Sequence, residues 1–183
     1  MKGILYYDTK YGTTERIGRW ILSEISCASV SMKHIKNCTY VDPSCDFYIL
    51  GSPIYIGKPR YEIYQFILEN KAQLENKVLF WFITSWAQST VYRRECERFV
   101  DIMQYYLESA KAVLWASLPG KLVFDELTER DRSTMARLLG RIDKLSEEFQ
   151  SENIVFTDKT NEKESRKFGK DIDQWLQHSG NML

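Results

Sequence analysis

The chain has 183 residues, 44% of them hydrophobic, which is enough for one well-formed core in a single domain spanning 1–183. Its 25 basic and 25 acidic residues cancel, so composition gives no long-range attraction for nucleic acid or an anionic surface. The opening Met1-Lys2-Gly3-Ile4 enters a strand pattern too soon for a signal peptide, and the longest apolar runs are far shorter than a membrane span. A cytoplasmic protein with no integral membrane segment is therefore expected.

In chain order, short apolar stretches at 3–7, 30–34, 47–50, 78–83 and 112–116 alternate with longer segments of helical period. Such alternation predicts a layered βα architecture around a parallel sheet. The stretch 78–83 has no polar member and reads as a central strand covered on both faces, whereas 30–34 alternates as an edge strand does.

Helical stripes follow from the spacing of Ile17, Ile21, Ile25 and Ala28, and again of Tyr92, Cys96, Phe99, Met103 and Tyr106. Pro59 stands where a first turn tolerates it, ahead of a helix burying Ile63, Phe66 and Ile67. Later stripes are Met135, Leu138, Leu139, Ile142, Leu145 and Phe149, then Phe168, Ile172, Trp175 and Leu176. Residues 117–130 fit neither period, and an excursion at about 117–134 is expected after the fifth strand. The stretch 154–157 reads as a loop segment closing back on the domain.

The junction of the first strand and first helix, Thr9-Lys10-Tyr11-Gly12-Thr13-Thr14, has the composition of a phosphate cradle. Hydroxyls, unpaired amides and the helix dipole favour an anion there, although Thr13 or Thr14 alone would serve equally well as a helix cap. In an open parallel sheet, ligands collect at the carboxyl ends of the strands, beside the point where strand order reverses. That rule adds two loops to the candidate site. One is Gly51-Ser52 followed by Pro53, Ile54, Tyr55, Ile56 and Gly57, and the other is Thr84, Ser85, Trp86, Ala87, Gln88 and Ser89. Tyr55 and Trp86 are candidate walls for a flat ring, with hydroxyls and backbone groups along its polar edge. The combination points to a phosphorylated cofactor with a planar part.

Other residues carry weaker signals. Cys27, Cys38, Cys45 and Cys96 lack zinc-site spacing and read as reduced thiols, so no metal is expected. Arg93, Arg94 and Arg98 read as the wet face of a helix or as a docking point for an acidic partner or a substrate carboxylate.

The residues Leu5, Tyr7, Thr9, Gly12, Thr14 and Ile21 resemble the phosphate-loop signature of the flavodoxin family, with Gly18 where that family favours Ala. The resemblance implies an α/β fold, a flavodoxin-like three-layer sandwich. Its five-stranded parallel sheet would have the order 2-1-3-4-5, with helices on both faces. It also implies FMN as cofactor: Thr9, Thr13, Thr14 and the backbone from Lys10 to Thr14 would hold its phosphate. Residues 53–57 would meet the ring and residues 84–88 its far edge. The first loop, the 51–58 loop and the 154–158 segment are further similar to the flavodoxin-like, menaquinone-linked protoporphyrinogen oxidases.

That branch implies an enzyme using a quinone or a porphyrinogen; the family at large implies electron transfer to a redox partner protein or a small-molecule substrate. Electron carriers of this fold are usually strongly acidic, which this neutral chain is not. Its 118–144 stretch mixes acidic and basic residues and is poorly suited to an anionic bilayer. A rim around a substrate or partner groove is the alternative. Two other readings stand beside these. A phosphate-accepting signalling receiver would need an Asp where the third strand ends in Leu50-Gly51-Ser52, and a flavin-free scaffold would act through protein contacts alone.

Overall fold

In the computed structural model, which describes residues 1–89, 91–142 and 158–179, the apolar runs become the strands of one sheet. They are β1 (Lys2–Tyr7), β2 (Ser29–His34), β3 (Phe47–Tyr55), β5 (Val78–Ser85) and β6 (Lys111–Pro119), with a two-residue β4 (Lys58–Pro59) between β3 and β5. The parallel strands lie in the order β2-β1-β3-β5-β6, and β4 pairs antiparallel with the end of β3. The expected order 2-1-3-4-5 is thus the order of the principal strands, with one short hairpin strand added. Every residue of β5 is buried, while β2 alternates between exposed and half-buried positions at the sheet edge.

The helices are α1 (Thr13–Leu22), α2 (Tyr61–Glu69), α3 (Lys71–Leu74), α4 (Glu95–Tyr106), α5 (Glu129–Ile142) and α6 (Glu162–Ser179). Successive side chains of a strand point to opposite faces, so each strand feeds two cores. On one face Ile17 and Ile21 of α1 and Phe168, Ile172 and Leu176 of α6 meet Leu5, Phe47, Ile49 and Phe80. On the other, Ile63 and Phe66 of α2 and Phe99 and Met103 of α4 meet Tyr6, Tyr48, Leu50 and Trp81. Each such side chain contributes about 1.5–3 kcal/mol on burial, and together they hold helix, sheet and helix as three layers.

The helix pair α1 and α6 approaches closely at Gly169, where a Cβ would run into the Ile21 carbonyl oxygen. Asp173, one helical turn further along α6, accepts the amides of Ser26 and Cys27 at 2.7 and 2.9 Å and so ties α6 to the approach of β2. Gly18, where the family favours Ala, faces Met32 and Leu5, and a Cβ there would lie 2.7 Å from Met32 Cε. That atom is the tip of a flexible side chain, so an Ala would be accommodated by a small shift of Met32.

Several expected boundaries move. Pro59 does not open a helix: it pairs with Ile54 in the β3–β4 hairpin, and α2 starts only at Tyr61. Ile25 and Ala28 lie beyond the end of α1 but still pack against its core, and Tyr92 falls in a 3-10 turn ahead of α4. Ser117, Leu118 and Pro119 continue β6, because they pair with Ile83, Thr84 and Ser85. The excursion consequently starts at Gly120 and ends where α5 begins, so 129–134 is helix rather than loop. Leu145, Phe149 and 154–157 lie outside the described residues. Asp158 and Lys159 lie against the excursion, with Lys121 bridged to Asp158 and the Lys159 amide 3.3 Å from the Gly120 carbonyl.

Candidate functional site

The register that aligns Tyr7 with Gly51, Gly51 with Phe82 and Ser85 with Pro119 brings the carboxyl ends of β1, β3, β5 and β6 to one edge. The loops leaving that edge surround a cavity of about 520 Å³.

The first loop is shaped by Gly12. It occupies the position before α1 at φ 77°, a left-handed conformation that glycine adopts without steric cost, and no side chain caps the helix. The helix therefore presents its first turn of amides, with its dipole, to whatever sits in the loop. Thr14 is fully buried and its hydroxyl lies 3.2 Å from that of Thr84, which fastens the first loop to the end of β5. Thr9, Tyr11 and Thr13 line the cavity. Lys10 and Gly12 do not line it, and the Lys10 ammonium is turned instead to Asp131 of α5.

The second loop is the β3–β4 hairpin. Its two turn residues both have positive φ, 51° at Ile56 and 76° at Gly57, as a type I′ turn requires. For a β-branched residue this is strained backbone, and Ile56 adopts it while 61% exposed. Pro53, Ile54, Tyr55, Ile56 and Gly57 all face the cavity. Burial pushes the Tyr55 hydroxyl well above the ordinary phenol range, so it is a neutral hydrogen-bonding group.

The third loop continues β5 through a 3-10 turn over Trp86–Ser89. Thr84, Ser85, Trp86 and Ala87 reach the cavity, and Ser85 Oγ accepts the Ala87 amide at 3.2 Å. Gln88 is drawn away from it: its side-chain oxygen accepts a hydrogen bond from the Ser117 hydroxyl of β6 at 3.0 Å. Of the sequence-predicted residues, Lys10, Gly12, Thr14 and Gln88 thus shape the loops without lining the cavity.

A fourth wall comes from outside the three predicted loops, from the stretch read as the alternative rim of a substrate or partner groove and from the helix that carries Arg98. Gly120, Lys121, Leu122, Leu127, Asp131, Thr134 and Met135 come from the excursion and α5, and Arg98 and Phe99 from α4. The excursion carried a hint in its apolar residues, but nothing in their spacing showed where they fold. Asp131 joins this wall to the first loop by accepting from Lys10 Nζ and from the Tyr11 hydroxyl. The Thr128 amide donates to that same hydroxyl at 3.1 Å. Burial pulls the Asp131 carboxyl upward, but these hydrogen bonds outweigh it and hold the group below the ordinary carboxylate range. Arg93 and Arg94 sit in a 3-10 turn before α4, so only Arg98 of the three arginines is on that helix and at the cavity.

None of the four cysteines is in a disulfide, Cys45 and Cys96 being buried and the others half-buried. Among the described residues there is no cluster of three or more His, Cys, Asp or Glu suited to a metal, and no helix long and apolar enough to cross a membrane.

A parallel sheet of order β2-β1-β3-β5-β6, with its cavity where the strand order reverses between β1 and β3, defines a flavodoxin-like fold. The flavodoxin-domain family model matches residues 4–149, most of the chain, and the protein belongs to that family. Solved structures agree at the level of fold. The flavodoxin, WrbA-like protein from Agrobacterium tumefaciens superposes with a TM-score of 0.56 at 13% identity, covering 97% of this chain and 98% of that one. The two-electron reduced flavodoxin of Megasphaera elsdenii gives 0.52 at 20% identity, covering 64% and 85%. The Flv1 flavodiiron core from Synechocystis sp. PCC6803 gives 0.56 at 13% identity; 98% of this chain is covered but only 36% of that longer protein. No curated protein matches the sequence. The family match is to the flavodoxin domain at large and does not single out the protoporphyrinogen oxidase branch.

Proposed function

We propose that the protein binds FMN in the strand-end cavity and acts as a flavin-dependent oxidoreductase on a small molecule. The observation that carries this reading is the convergence of three sequence-distant loops on one cavity, with the amides of α1 left uncapped at its edge. The residues present suit the cofactor. Thr9, Thr13 and the amides from Lys10 to Thr14 would hold the phosphate, Tyr55 and Trp86 would flank the ring, and the backbone of 53–57 and 84–87 would meet its polar edge.

When bound, FMN supplies the electron-transfer chemistry. The chain's own part is to bind and orient the ring and to exclude water from one side of it. Ile54, Ile56, Phe99, Leu127 and Met135 give the cavity apolar walls for that purpose. The same fourth wall, together with the absence of net charge, favours a small-molecule substrate over a docking protein partner. A redox partner protein is the second reading, supported by the family and by the exposed Arg98 among the residues that line the cavity.

The test is the visible spectrum of the purified protein and a fluorescence-quenching titration with FMN. Quenching that saturates at one equivalent supports the assignment. Colourless protein that leaves FMN fluorescence unchanged overturns it.

A further inference from the structure

Behind the hairpin that carries Tyr55 lies a cluster of ionisable groups with no part in the cradle. Asp8, the residue after β1, is 2% exposed. Its amide donates to the Gly51 carbonyl at 3.1 Å, fixing it against β3. Its carboxylate meets Arg60: Nε of the guanidinium lies 2.9 Å from Oδ2. On the other side His34 Nε2 stands 3.7 Å from Oδ1. The Lys36 amide donates to His34 Nδ1 at 3.0 Å, which places the ring proton of the neutral imidazole on Nε2, facing Asp8.

Arg60 follows β4 directly and is the hinge between the hairpin and α2. Its guanidinium carbon lies 5.7 Å from the centre of the Tyr55 ring, within the range of a cation–π contact. The same group reaches Glu62, with Nε 3.1 Å from Oε2. Tyr55 is contacted a second time by Tyr11, the two ring centres being 6.2 Å apart. The cavity wall that would meet a flat ring is therefore backed by a cation, which hydrogen-bonds to Glu62 and faces the buried Asp8 carboxylate as an ion pair without a hydrogen bond to its Oδ2.

We infer that Asp8 and Arg60 are positioning residues for the Tyr55 wall, fixing its orientation toward the cavity and placing a compensated charge beside the bound ring. The inference rests on the FMN reading for the identity of that ring. A bland alternative is that the pair merely joins the end of β1 to the hairpin. Burying a carboxylate for that purpose is a poor stabiliser, since an apolar pair of similar volume usually does as well or better. Burial also raises the Asp8 carboxyl above its ordinary value despite the attraction of Arg60 and His34. The geometry around Tyr55, more than any gain in stability, is therefore what marks this pair out.

The two ends of the pair differ in what their loss leaves behind. Asp8→Asn leaves a cation close to Tyr55 with only the exposed Glu62 to offset it. Arg60→Gln leaves a buried carboxylate that neutralises itself by taking a proton. A purely mechanical joint would respond alike to both.

The experiment uses the full chain as wild type, Asp8→Asn, Arg60→Gln and Arg60→Lys, with two independent readouts. Without FMN, hydrogen exchange at the Ile56, Gly57 and Lys58 amides is expected to rise about tenfold in Asp8→Asn and Arg60→Gln, and less in Arg60→Lys. With FMN, affinity is expected to fall about five- to tenfold in both neutralised variants. The flavin midpoint potential is expected to rise in Asp8→Asn, because an uncompensated cation favours added electrons, and to move less in Arg60→Gln. Exchange and affinity that stay at wild-type values in both overturn the inference, as does an identical potential shift in the two. If the wild type binds no FMN, the cofactor reading fails by itself. The exchange measurement then still decides whether Asp8 and Arg60 set the hairpin.

Discussion

The loop between β1 and α1 and the segment between β6 and α5 line one cavity, yet different forces hold them. The first is a backbone device: Gly12 turns the chain, α1 supplies amides, and Thr14 is locked to Thr84 in the core. The second is held largely by side chains reaching across it, Asp131 to Lys10 and Tyr11, and Lys121 to Glu126 at 2.6 Å. Gly120 anchors it to the sheet by donating its backbone N–H to the Ser85 carbonyl at 2.8 Å. The contrast suggests a division of labour, in which the cradle is preorganised for affinity and the cover is a separable wall.

The largest expected effect comes from breaking the cradle at Gly12. Nothing lies within 4 Å of a Cβ placed there, so Gly12→Val acts through its positive φ alone. An L residue pays about 1–2 kcal/mol in that conformation, and a β-branched one more. FMN affinity by quenching titration should fall about a hundredfold as the loop reorganises, while the melting temperature drops by only a few degrees. A large loss of melting temperature with affinity kept would reverse the assigned roles.

Next in size is the lock beneath it. Thr14→Val removes one partner of a buried hydroxyl pair and should cost about 1–3 kcal/mol in urea unfolding. Thr84→Val should cost a similar amount, and the double variant less than the sum, because the two changes share one contact. Strict additivity would show that the hydroxyls are not coupled.

The cover should respond more weakly and in a different observable. Asp131→Asn is expected to change global stability by less than about 1 kcal/mol, as partly exposed pairs do. It should nevertheless release FMN several times faster in a stopped-flow displacement. Its pH dependence follows from the lowered carboxyl of Asp131. A depressed folded-state value gives a contribution that is present above the unfolded carboxylate value, near 4, and is lost as pH falls through the lower folded one. Asp8 has the opposite sign: its raised value gives a contribution present in acid and lost as pH rises through the folded value. Protection factors of the amides in 120–135, corrected for the intrinsic pH dependence of exchange, should therefore fall on acidification in the wild type, and already be low and flat with pH in Asp131→Asn.

The smallest effect is expected at Lys121→Ala. Its partner Glu126 is half exposed, with side-chain accessibility of 49%, and the loss should be at most about 0.5 kcal/mol by thermal melting. A loss several times larger would mean that the cover is part of the folded core and not a separable wall.

The parts of the site legible in the sequence were those built by consecutive residues. Thr9, Thr13, the 53–57 loop and 84–87 are placed by strand ends and turns, whose signals are local, and the structure brings them together at one edge. The β3–β4 hairpin hid behind Pro59, which suits a first helical turn as well as a short edge strand. Gln88 read as a site residue by adjacency, but a hydrogen bond to Ser117 turns it toward β6. Arg98 carried a charge signal shared with Arg93 and Arg94, and only the helix start at Glu95 separates them.

The sequence by itself determined the alternation of strands and helices, the central position of the run 78–83, and the hydroxyl-rich turn at 9–14, because hydrophobic period and turn chemistry act over a few residues. Tertiary structure alone decided that Leu122, Leu127 and Met135 close the cavity, that Asp131 reaches Lys10 across 121 positions, and that Arg60 stands between Asp8 and Tyr55. Those contacts join residues far apart in the chain, and their partners are chosen by how the layers pack, which no local pattern records.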